Sequence, residues 1–134
     1  MPVRYFCALT ITGLMLAASP LLAHHSFAAE YDKSKSITFT GSLTKLDWRN
    51  PHVFFYLDVK DPTGKAVNWA FELAGSTGLV RQGWTRNSLK PGDNITVNGY
   101  PARDGSHLAN ALDVILADGR KVFAGSSVAE TPAK

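Results

Sequence analysis

Thiols are almost missing from this chain. Cys7 is the only cysteine among 134 residues, so no intramolecular disulfide can form. Disulfide scaffolds and cysteine-based zinc modules are excluded with it. Methionine is equally scarce: Met1 and Met15 are the only two, both within the first fifteen positions. Charged residues make up 19% and apolar residues 45%, so a packed core is possible and wholesale disorder is not expected. The chain also lacks a Gly-x-Ser-x-Gly elbow, a phosphate-cradling glycine loop and a His-Glu-x-x-His pair. It therefore reads as a non-enzyme. Glu72, Asp47 and Asp58 read as outward, solvated carboxylates.

Long apolar runs are absent except at the start. Arg4 precedes an apolar stretch from Tyr5 to Ala18, Ser19-Pro20 breaks it, and Leu21-Leu22-Ala23 ends on a small residue. That pattern predicts a signal peptide over residues 1–23, with an uncleaved anchor as the alternative. The run is too short and too poorly flanked for a stable membrane span, and none is expected after processing. Export predicts a periplasmic or secreted protein. Cleavage after Ala23 would leave 111 residues, from His24 to Lys134. Losing Arg4 reduces the 14 basic residues to 13, against 11 acidic ones. So small an excess gives no electrostatic reason for nucleic-acid binding.

What remains alternates. Residues 24–36 form a polar N-terminal arm with little periodicity. From there, period two predicts strands. Ile37, Phe39 and Leu43 share one face of the first strand, whereas Leu46 and Trp48 fall on the other. The slip predicts a bulge or bend, with Gly41 nearby. Val53, Phe55, Leu57 and Val59 point inward on the second strand, opposite His52, Phe54, Tyr56, Asp58 and Lys60. Val67, Trp69, Phe71 and Leu73 point inward on the third, opposite Asn68, Ala70 and Glu72. A short helix then starts at Ser76, with Val80 and Trp84 paired at i,i+4. Ile95 and Val97 mark a fourth strand. Leu108, Leu112, Val114 and Leu116 mark a fifth, and Val122 and Phe123 a short sixth. A bent first strand, with a helix between strands three and four, predicts an all-β fold. It is a small OB-like barrel of five or six strands over residues 37–124, with a flexible tail over 125–134. A different small β-sandwich is the alternative.

Several segments carry a resemblance. They are His24-His25-Ser26-Phe27, Asn50-Pro51-His52, Trp69-Ala70-Phe71-Glu72-Leu73, Gly83-Trp84-Thr85, Ser88-Leu89-Lys90-Pro91-Gly92-Asp93 and Leu116-Ala117-Asp118-Gly119-Arg120. The chain resembles a family of small bacterial exported proteins known only as a domain of unknown function. The resemblance implies export and a single domain, and no reaction.

Two sets of side chains are candidates for binding. The first is His24, His25, His52 and His107. As a processed N-terminus, His24 would offer its amine and imidazole together, a chelate suited to Cu(II) among divalent ions. His25 would stand beside it. His52 and His107 fall in the two loops that flank the usual binding face of OB barrels. Without methionine or cysteine, a soft Cu(I) site is not expected. The second set is aromatic. Phe54 and Tyr56 on strand two, Tyr100 on strand four and Trp48 near the first loop could form a platform for a glycan, a peptide or a partner protein.

Overall fold

The computed structural model describes residues 27–125. The predicted signal segment, His24 and His25 lie outside the described residues, as does the tail beyond Gly125. The elements run α1 Phe27–Glu30, β1 Ile37–Asp47, β2 Phe54–Lys60, β3 Ala66–Glu72, α2 Ser76–Arg81, β4 Asn94–Pro101, β5 Leu108–Ile115 and β6 Lys121–Phe123. Hydrogen bonding orders the strands β3-β2-β1-β4-β5-β6, and β3 also pairs in parallel with β5. That last pairing closes strands one to five into a small barrel. β6 extends the sheet beyond β5.

Alternation sets the barrel wall as expected. Phe55 and Leu57 from β2 are fully buried, and so is Phe71 from β3. Phe55 stacks on Phe71 with ring centroids 5.1 Å apart. Leu43, Ile95, Val97, Leu79 and Val114 complete the same core.

The slip expected in β1 is present, and two details depart from the period-two reading. The β1 register shifts between Leu43 and Lys45, one turn of the pleat beyond Gly41. Gly41 serves another purpose: a Cβ there would collide with the Asp58 carbonyl of β2. On β5 the inward residues begin as Ala109 and Ala111 and switch to Val114, while Leu108 and Leu112 are only half-buried. The switch comes at Leu112, where the β4–β5 register shifts. Alanine carries too little apolar signal to compete with leucine in a pattern, yet only a small side chain suits this tightly paired strand. Opposite Ala111 stands Gly99, where a Cβ would collide with the Asn110 carbonyl.

The helix also ends earlier than its i,i+4 pairs suggested. α2 stops at Arg81, capped at its start by Gly75 rather than by Ser76. Gly83 takes φ +92° and turns the chain back, so that the Trp84 N–H donates to Leu79 O. Trp84 is buried by this turn, and its indole N–H donates to Phe123 O at 2.8 Å. Val80 does not pair with it and is 58% exposed. The lead-in segment, which showed little periodicity, contains α1 and an antiparallel bridge from Tyr31 to Ala102.

Candidate functional site

Cross-strand pairing builds one continuous row on the outer face of the barrel. Phe54 of β2 lies opposite Glu72 of β3, Glu72 opposite Asn110 of β5, and Asn110 opposite Tyr100 of β4. Each alternates with an inward neighbour, so all four belong to the outward side of their strands. Tyr56 follows Phe54 two residues on, on the same face.

The β2 end of the row is open. Phe54 and Tyr56 are half-buried rings with a cation over each. The Arg49 guanidinium lies 5.4 Å from the Phe54 centroid, and Lys45 Nζ lies 5.5 Å from that of Tyr56. Asp47 stands between the two cations, 3.4 Å from Arg49 Nε and 3.9 Å from Lys45 Nζ.

The other end is roofed by the N-terminal arm. The Tyr31 ring packs against Phe27 at 5.2 Å, and Phe27 meets Tyr100 edge-on at 6.1 Å. Main-chain bonds fasten the arm to the last residue of β4 and the turn after it: Asp32 N–H donates to Pro101 O, and Arg103 N–H donates to Glu30 O. Arg103 Nε also donates to Ala28 O at 2.7 Å. The Tyr31 hydroxyl donates to Glu72 Oε2.

Glu72 is therefore not the solvated carboxylate that parity suggested. Its side chain is only 13% exposed, because the arm covers the outward face where it stands. Burial pushes its carboxyl above the ordinary carboxylate range; the Tyr31 hydroxyl and the His52 ring pull it down, and Glu30 adds an upward push. Burial also pushes the Tyr31 phenol up, reinforced by its bond to Glu72. Beside Glu72, Asn110 is 1% exposed, and its Oδ1 is the one buried side-chain polar atom without a partner among the described residues.

His52 reaches the same carboxylate. Its Nδ1 lies 3.1 Å from Leu73 O and 3.2 Å from Glu72 Oε1. Two acceptors facing one nitrogen place a proton there; in the neutral ring Nε2 is then the acceptor. His107 sits elsewhere along β3. Its ring packs on Trp69 at 5.0 Å, and its carbonyl accepts from the Ala70 N–H. Ala70 and Leu73 are three residues apart, roughly 10 Å along a strand. The two described histidines thus have separate partners. Among the described residues no group of three or more His, Cys, Asp or Glu side chains could hold a metal ion.

The aromatic candidates divide in the same way. Phe54 and Tyr56 share the open face. Tyr100 lies on the row but under Phe27. Trp48, just past the end of β1, packs partly buried on the core and borders a shallow hollow of about 360 Å³ with Ser76, Thr77, Val80 and Arg81. The sequence reading did not single out Tyr31, Glu72 or Asn110 as a set. Its only trace is the four-residue spacing of Phe27 and Tyr31, which puts both rings on one side of a helical turn.

A family model described as a family of unknown function (DUF6152) matches residues 12–111. The chain belongs to that family. The matched span holds Tyr31, His52, Glu72 and Asn110, and it ends inside β5. No curated protein matches the chain. Among the described residues no helix is long and apolar enough to cross a membrane.

Proposed function

We propose that this protein is an exported single-domain binding module, and that its ligand lies across the outer face of β2. The observation that carries the reading is the pair Phe54 and Tyr56. Two rings on one face of one strand, about 7 Å apart along the chain, suit the repeat of an extended polymer. Stacking on such rings contributes roughly 1–3 kcal/mol per ring in nucleic-acid complexes and is tolerant of ligand identity. Lys45 and Arg49 supply donors beside the rings, and Asp47 limits their motion. A glycan or an unstructured peptide fits this chemistry. Titration of a panel of soluble glycans and peptides, followed by backbone amide shifts, tests it. Shifts should gather on Lys45, Arg49, Phe54 and Tyr56, and Phe54→Ala with Tyr56→Ala should weaken binding by at least about tenfold. Shifts centred elsewhere, or indifference to the double substitution, would refute it. Intact mass of protein recovered from the periplasm tests export.

One observation favours a second reading, in which the module binds a divalent metal such as Cu(II). A histidine with one ring nitrogen held by a carboxylate or carbonyl is oriented to offer the other to a metal. His52 has that arrangement, with Glu72 and Leu73 O behind it. The remaining donors would be His24 and His25. Cu(II) calorimetry on processed protein should then give a site that weakens with His52→Asn and with one extra residue before His24. Indifference to both changes would remove the metal reading.

A further inference from the structure

The arm occupies ground that the proposed binding face would otherwise continue onto. The row Phe54–Glu72–Asn110–Tyr100 crosses four strands, yet only its Phe54 end is open. We propose that residues 27–32 form a strap that opens independently of the barrel. Closed, it covers Glu72 and sets Phe27 edge-on against the half-buried Tyr100, with Asn110 shut in between; open, it extends the ligand face from β2 across β3, β5 and β4. This rests on the binding-face reading for its purpose, though not for its mechanics.

The closed strap holds opposing forces. In its favour are the Phe27 and Tyr31 rings, the Tyr31–Glu72 bond, the Arg103 side chain on Ala28 O and Asp32, and a few main-chain bonds at Pro101, Ala102 and Arg103. Against it stand two burials. The Glu72 carboxyl loses most of its water, with Glu30 close enough to disfavour its charge. Asn110 Oδ1 is shut away with no donor, in a row whose neighbours on both sides are covered by the arm. An unpaired buried acceptor carries its full desolvation penalty. Opening the strap would return water to both groups. The barrel would lose none of its own ladders, because the arm's main-chain bonds go to the last residue of β4 and the turn after it, not to a strand interior. The charged and titratable groups around Glu72 are Tyr31 and Glu30 from the arm and His52 from the loop before β2. Arg49 lies beyond Phe54 and is held by Asp47.

Hydrogen exchange on the intact chain without ligand reads this directly. The amides of Asp32 and Arg103, which bridge arm and barrel, report the strap, and those of Phe55 to Val59 report the barrel. The strap amides should exchange through an opening at least roughly 100-fold more frequent than that of β2. Tyr31→Phe removes the hydroxyl that the strap donates to Glu72, so strap protection should fall by about 10-fold or more while β2 protection holds. Phe27→Ala should do the same by a different contact. Binding of the dye 8-anilinonaphthalene-1-sulfonate should rise in both variants as Tyr100 and its neighbours uncover. Equal protection of strap and β2, or a parallel loss in both when Tyr31 is changed, would overturn the strap. Exchange is read without ligand, so its failure sinks the strap alone. Failure of the Phe54 and Tyr56 substitutions sinks the binding-face reading alone.

Discussion

Phe71 and Glu72 are neighbours on β3, and they face opposite problems. Phe71 is fully buried and stacked on Phe55, so truncation leaves a cavity that the closed barrel cannot collapse. Phe71→Ala should destabilise by about 3–5 kcal/mol, measured by urea unfolding. Glu72 faces outward, but the arm covers it. Its carboxyl pKa is raised in the folded chain by burial, so folding takes up a proton there. That contribution is full below the unfolded carboxyl value and is lost as pH rises through the folded value. Glu72→Gln keeps an acceptor for the Tyr31 hydroxyl and removes the ionisation. The stability of the wild type relative to this variant should therefore fall as pH rises above the ordinary glutamate value of about 4.3. A flat difference across that range in unfolding experiments would mean that the arm does not desolvate Glu72. Glu72→Ala, which looks harmless if the side chain is solvated, should instead strand the Tyr31 hydroxyl and cost about 1–3 kcal/mol.

At the scale of the element, α2 shows how little helix a short sequence motif specifies. Six residues make it, and its only buried side chain is Leu79. Two glycines, Gly78 and Gly83, both weaken the helical pattern in sequence, but they do different work. Gly78 lies within the helix, where a Cβ would make ordinary contact with the Ala74 Cβ at 3.7 Å. Gly83 lies past the end with φ +92° and aims Trp84 inward. Gly78→Ala should be neutral or stabilising by up to about 1 kcal/mol. Gly83→Ala should destabilise by about 1–2 kcal/mol, because an L side chain resists that backbone region. Thermal unfolding of the two variants separates these effects. An undiminished melting temperature in Gly83→Ala would mean that the turn does not depend on glycine. Val80→Lys, at the exposed position, should stay within about ±0.5 kcal/mol.

For the whole molecule, closure depends on contacts far apart in sequence. β3 meets β5 in parallel through Ala70, Phe71 and Glu72 against Leu108, Ala109 and Asn110. The chain beyond β5 then returns to lock the other side. Ala74 N–H donates to Ala124 O, and the Trp84 indole donates to Phe123 O, so β6 ties the helix end to the sheet. Lys121 adds an ion pair to Asp113 at 3.0 Å. Ending the chain at Asp118 would strip all three and expose Trp84. For a barrel of this size the melting temperature should drop by more than about 10 °C, since about 1 kcal/mol corresponds to roughly 4–8 °C. Calorimetry on the truncated chain checks this. An unchanged melting point would show that β6 is an ornament of the fold.

Alternation alone determined the core faces of β2 and of the inner end of β3, because every second residue there is large and apolar and a strand has period two. Val53, Phe55, Leu57 and Phe71 are buried as that period requires. It also determined the outward direction of Phe54 and Tyr56. It did not determine the burial of Glu72, because parity says which face a residue takes and nothing about what later covers that face. Tyr31 comes to Glu72 across 41 positions, through an arm whose sequence carries little pattern. The inward alanines of β5 were hidden for a related reason: a small side chain is demanded there by the closeness of β3 and β4, which only the closed barrel creates. The histidines show the same division. Their number and order are written in the chain, but which of them share a partner was decided by tertiary packing. It set His52 on Glu72 and His107 on Trp69 at separate points of one strand.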